Sequence, residues 1–98
     1  MTEERTGKNQ LSVEDARSVI IQPYITEKTF NMIEKENKLV FIVKEKCTKS
    51  QIKEAMTVLY DVDVEDINTV RTIRGKKAAM RFHDPNGARD LATTLGLV

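Results

Sequence analysis

Tryptophan is absent from this 98-residue chain, and cysteine (one), proline (two) and glycine (four) are scarce. Each scarcity excludes something. A lone thiol, Cys47, forms no intramolecular disulfide and cannot by itself assemble a structural zinc site, which takes several ligands. It reads as a free thiol near a helix start. Four scattered glycines give neither a Walker-type run nor a GxGxxG turn after a strand, so no phosphate cradle is present. No apolar run approaches the ~20 residues that a membrane-spanning helix requires. Met1 to Gln10 lacks the apolar stretch of a signal peptide. The expectation is a soluble cytoplasmic protein with no membrane insertion.

Catalytic groups are as sparse. His83 is the single histidine, and no serine or cysteine nucleophile stands in a recognisable motif beside it. An imidazole without an oriented partner is better read as an exposed strand residue than as a general base. The acidic run Asp61-Val62-Asp63-Val64-Glu65-Asp66 has the look of a calcium loop, but it lacks the glycine at the sixth position and has Thr72 where the bidentate glutamate belongs. It reads as a solvated turn. No catalytic residue, metal site or cofactor is expected, and the chain is not read as an enzyme.

What is present is a balanced, foldable composition, 40% hydrophobic and 32% charged, which favours a solvated globule over a disordered chain. Aromatics make up only 5%, so the core must be aliphatic. The length allows one core. Residues 1–11 are expected to be a flexible polar tail, and residues 12–98 a single domain.

Along that domain Ser12 caps a short helical turn, and Val19 to Gln22 forms a short strand that Pro23 stops. Thr26 caps a helix from about Glu27 to Glu36, which Asn37 ends in a left-handed conformation. The unbroken run Leu39 to Val43 reads as a central strand covered on both faces, which implies helices on both sides of the sheet. Thr48 and Gln51 form a capping box that opens a helix with Ile52, Ala55, Met56, Leu59 and Tyr60 on one stripe. Asp66–Ile73 and Lys77–His83 read as a hairpin joined through Arg74-Gly75-Lys76. Asp84-Pro85 looks like a cap and first-turn proline for a last helix that ends at Gly96. The class is therefore α+β, an α/β sandwich with a four-stranded, largely antiparallel sheet and helices packed on it.

Charge is segregated although the net is only +1. Ile67 to His83 holds five basic residues (Arg71, Arg74, Lys76, Lys77, Arg81) and no acidic one, and four carboxylates crowd Asp61 to Asp66 just before it. Bare cations on one hairpin repel, and phosphate contacts relieve that repulsion while releasing counterions. The pattern suits electrostatic clamping of RNA by these five, supported by Lys49 and Lys53. No aromatic pair of the kind used to stack bases is evident, so recognition is expected through shape, phosphate and 2′-OH contacts. A ferredoxin-like regulatory or interaction domain, dimeric or binding a small ligand, is the alternative. It calls for a stable dimer indifferent to RNA.

Several stretches together resemble one family. Ile21-Gln22-Pro23-Tyr24-Ile25-Thr26-Glu27-Lys28 is similar to the proline followed by Ser/Thr-Glu-Lys near the start of the large-subunit ribosomal protein family numbered twenty-three. Phe41-Ile42-Val43 resembles its Phe-x-Val strand. Lys49-Ser50-Gln51-Ile52-Lys53-Glu54-Ala55 is similar to its Lys-x-x-Ile-Lys-x-Ala helix, and Val64 to Thr69 to its Val-x-x-Val/Ile-Asn-Thr strand. The resemblance implies a structural constituent of the large ribosomal subunit that binds large-subunit ribosomal RNA at the rim of the peptide exit tunnel. It also implies a neighbour, the ribosomal protein numbered twenty-nine, and a docking site for the signal recognition particle or other exit-site factors. By motif position it makes Glu27 the factor-docking residue and brings Lys28, Lys49, Lys53, Asn68 and Thr69 close to RNA. The short connection at Arg74-Gly75-Lys76 leaves no room for the tunnel-reaching extension of bacterial members, so the chain resembles the archaeal type.

Overall fold

The structure, a computed structural model, describes residues 11–73 and 75–97. Its elements are α1 (Val13–Val19), β1 (Ile20–Pro23), α2 (Glu27–Glu36), β2 (Lys38–Val43), α3 (Lys49–Tyr60), β3 (Val64–Thr72), β4 (Gly75–Phe82) and α4 (Gly87–Thr94). The strands form one antiparallel sheet in the order β1-β2-β4-β3. This is the α+β fold that the sequence implies. Of the tail expected over residues 1–11, all but Leu11 lies outside the described residues. The Leu11 N–H donates to Glu54 Oε2 at 2.6 Å.

Local chemistry accounts for the helix starts. Ser12 Oγ accepts from the Asp15 N–H at 3.1 Å. The predicted capping box at α3 is present, with Thr48 Oγ1 accepting from Gln51 N at 3.1 Å and Gln51 Oε1 from Thr48 N at 2.9 Å. Each bond pairs a helix-end donor that would otherwise be orphaned. Thr26 and Thr29 make an equivalent box at α2. Asn37 ends α2 at φ 57°, as expected.

Register divides the sheet into two faces. Leu39, Phe41 and Val43 share a face with Ala78 and Met80, and residues of all four helices join them in a single core that also takes in Val64, Ile67 and Phe82. Val40 and Ile42 alternate away from it. Both are buried, yet both lie outside that core. The expectation of helices on both faces is thus corrected: the apolar run of β2 reflects two coverings of different kinds. Opposite Ile42 stands Lys77, whose ammonium sits 3.8 Å from the centre of the Tyr24 ring. A lysine stem and an aromatic edge shield apolar surface here without a helix.

Three boundaries also differ from the sequence reading. Pro23 does not stop pairing but is the last residue of edge strand β1, opposite Phe41, a position where a missing N–H is tolerated. The hairpin is closed by the pairing of Thr72 with Gly75, and Gly75 uses its freedom at φ 122° at the start of β4. Asp84 and Pro85 precede α4, whose N-cap is Asn86. Asp84 Oδ1 instead accepts from Asn86 N at 2.9 Å, closing a tight turn before the helix.

Candidate nucleic-acid interface

Antiparallel pairing places side chains of cross-strand partners on the same side of a sheet. On the face turned away from the core, Gln22 pairs with Ile42 and Ile42 with Lys77, which pairs in turn with Val70. A second row runs from Tyr24, whose N–H donates to Val40 O at 2.9 Å, through Val40 and Ala79 to Asn68. A third holds Lys38, Arg81 and Asp66. Gln22, Asn68, Val70 and Arg81 are exposed, and Tyr24, Lys77 and Ala79 half-buried. The result is a face with an apolar floor, amide side chains at both edges, one aromatic ring and three cations, with the Asp66 carboxylate opposite Arg81 and Glu36 lying 3.4 Å from the Lys38 ammonium. Polar and cationic groups over a flat apolar floor can take phosphates, sugar hydroxyls and base faces together.

The five hairpin cations do not act as one cluster. Lys77 and Arg81 project onto the face just described, whereas Arg71 and Lys76 are cross-strand partners on the core side. There Lys76 Nζ donates to the carbonyl of Cys47 at 2.7 Å and Arg71 lies 3.6 Å from Glu45. The hairpin read as lacking a counter-charge therefore has one from the β2–α3 connection. With both side chains largely exposed, the Arg71–Glu45 pair contributes little to stability. Arg74 lies outside the described residues. Thr69 is half-buried opposite Ala78 on the core side.

The other expected residues are dispersed. Lys49 and Lys53 are exposed one turn apart on α3 and border a shallow groove with Glu65 and Asp66 of β3. Glu27 and Lys28 are exposed in the first turn of α2, where the Glu27 carboxylate suits the helix dipole. His83 is exposed, just past the end of β4, and lies 3.8 Å from Asp63. Cys47 is buried, its Sγ donating to Lys44 O at 2.7 Å. Burial pushes its thiol pKa up, against the opposing pull of Lys76 and Lys44.

Sequence reasoning missed Gln22, Tyr24, Lys38 and Val70 as members of this face, because only the strand order and register bring them together. It also missed the reach of Asn37, whose Nδ2 donates to Phe82 O at 2.9 Å and Asp84 O at 2.7 Å while its Oδ1 accepts from Ala88 N at 3.0 Å. That side chain fixes the end of β4 and the start of α4 to the end of α2. Among the described residues no group of three or more His, Cys, Asp or Glu side chains could hold a metal ion. No helix among them is long and apolar enough to cross a membrane.

Residues 18–92 match the family described as Ribosomal protein L23. The Large ribosomal subunit protein uL23 of Methanococcus aeolicus is 46% identical over 84 residues, which covers 85% of this chain and 98% of that protein. Its counterparts from Methanococcus vannielii and Methanococcus maripaludis are each 44% identical over the same shares.

Proposed function

The chain belongs to the Ribosomal protein L23 family, and from that premise we propose that it binds large-subunit rRNA near the peptide exit tunnel and helps form a docking site for nascent-chain targeting factors. Its role is structural and not enzymatic, and its place is the large subunit of the ribosome. Membership decides against the regulatory-domain alternative.

One observation carries the choice of RNA surface. The sheet face away from the core presents Lys77, Arg81 and Asn68 over an apolar floor, while Arg71 and Lys76 are turned to the other side and engaged with Glu45 and the Cys47 carbonyl. RNA on this face meets the first group directly. Lys28, Lys49, Lys53, Thr69 and the Arg71–Lys76 pair lie off this face and are proposed as secondary contacts with the same RNA, and Arg74, outside the described residues, is proposed on its charge alone. Each phosphate contact steepens the salt dependence of binding, so the test is the slope of log K against log salt with transcribed large-subunit rRNA. Lys77→Ala with Arg81→Ala should flatten it by roughly 0.7 to 0.9 per lost contact. Arg71→Ala with Lys76→Ala should change it less. The reverse order would move the interface to the helix side.

Docking is carried by the likeness of Ile21 to Lys28 to the family motif and by the exposed carboxylate of Glu27 at the start of α2. The same likeness supports the ribosomal protein numbered twenty-nine as a neighbour and the signal recognition particle as a visiting factor. Glu27→Lys should leave incorporation into ribosomes intact and weaken recruitment of that particle. Normal recruitment by the variant would reject this role.

A further inference from the structure

Among the described residues the Tyr24 ring and the Lys77 ammonium form the aromatic–cation contact on the sheet face assigned to RNA, with Nζ 3.8 Å from the ring centre. Phe41 and Phe82 belong to the core, and Tyr60 stacks on Phe41 on that side, at 6.3 Å between ring centres. Phe30, half-buried, belongs to α2, so among the described residues Tyr24 is the aromatic that the strands and their ends offer to a ligand on the second face. We propose that this ring is a stacking platform for one unpaired base of the RNA, and that Lys77, which caps it in the free protein, yields its place to the base and takes a phosphate.

This rests on the rRNA-binding reading and specifies it. Three features support the exchange. A partly exposed cation over a ring is held only weakly, by roughly two- to fivefold in equilibrium terms, whereas stacking a base on an aromatic side chain is stronger, roughly five- to 150-fold per base. The lysine loses little by leaving, because its ammonium exchanges a ring quadrupole for a phosphate charge. Its stem still crosses the Ile42 position, so the apolar floor stays covered. Gln22, two residues before Tyr24 and opposite Ile42 on the same face, offers an amide that both donates and accepts at the edge of a stacked base.

The test uses the full chain and transcribed large-subunit rRNA, with affinities measured across a salt series. Tyr24→Phe keeps the ring and should bind within about twofold of the wild type, whereas Tyr24→Leu should bind at least about fivefold more weakly. Neither variant removes a phosphate contact, so both should retain the wild-type salt slope. NMR of the Lys77 side chain gives a second readout. Its terminal methylene should be shifted upfield by the Tyr24 ring in the free protein, and should lose that shift in Tyr24→Leu and on saturation with RNA. Wild-type affinity in Tyr24→Leu, or an upfield Lys77 signal that persists in the complex, would overturn the stacking platform and leave rRNA binding standing. A wild-type protein that does not bind the rRNA would overturn both.

Discussion

Replacing Asn37 by glycine removes one side chain that three separate pieces of the fold share. Glycine retains the left-handed backbone at φ 57° without strain, so the variant reports mainly on the side chain's hydrogen bonds. Three are lost: two donations, to Phe82 O and Asp84 O, and one acceptance, from Ala88 N. At about 1 kcal/mol each they amount to about 3 kcal/mol, and hydration of the exposed Asp84 carbonyl reduces this to about 2 kcal/mol. The added freedom of glycine in the unfolded chain and the relief of a left-handed asparagine oppose each other at about 1 kcal/mol each. For a domain of this size 2 kcal/mol lowers Tm by about 8 to 16 °C. Thermal melts followed by far-UV circular dichroism, with urea titrations alongside, measure it. The m-value should not change, because the same surface is exposed on unfolding. A Tm drop of less than about 3 °C would show that these bonds contribute little and that α4 is held by its apolar contacts alone.

Gly87→Ala should also destabilise, because a Cβ there would stand 2.6 Å from Phe82 Cβ, an atom too close to the backbone to move aside. The overpacking cost of about 1–3 kcal/mol exceeds the 0.5–1 kcal/mol that alanine contributes to a helix, and a lowered urea midpoint is the readout. Cys47 should react slowly with a thiol reagent in the folded protein and rapidly in denaturant. Its folded pKa is raised by burial, so its contribution to stability is present below the unfolded thiol value, about 8.5, and is lost as pH rises toward the folded one. Tm should therefore fall less steeply above that pH in Cys47→Ala than in the wild type, and parallel curves would refute the burial effect.

Elements governed by neighbours in the chain were legible in the sequence. The Thr48–Gln51 capping box, the left-handed Asn37 and the stripe from Ile52 to Tyr60 each depend on residues within a turn or two, and the structure bears them out. Pairing was not local. Whether Val40 and Ile42 face a helix or Tyr24 and Lys77 depends on which strands adjoin β2, and a run of five apolar residues reads alike in both cases. The basic hairpin shows the same limit. Spacing gave its five cations, but a strand alternates faces with every residue, so Lys76 and Lys77 point to opposite sides. Glu45, the counter-charge of Arg71, lies 26 positions earlier in the chain, beyond any local pattern.

The most direct measurement of the central claim is the copy number of this protein in large ribosomal subunits. Native lysate would be fractionated on a sucrose gradient after a high-salt wash, and each fraction quantified by mass spectrometry. A structural constituent gives one copy per large subunit, retained through the wash. Recovery only at the top of the gradient, with large subunits free of it, would contradict a structural role in the ribosome.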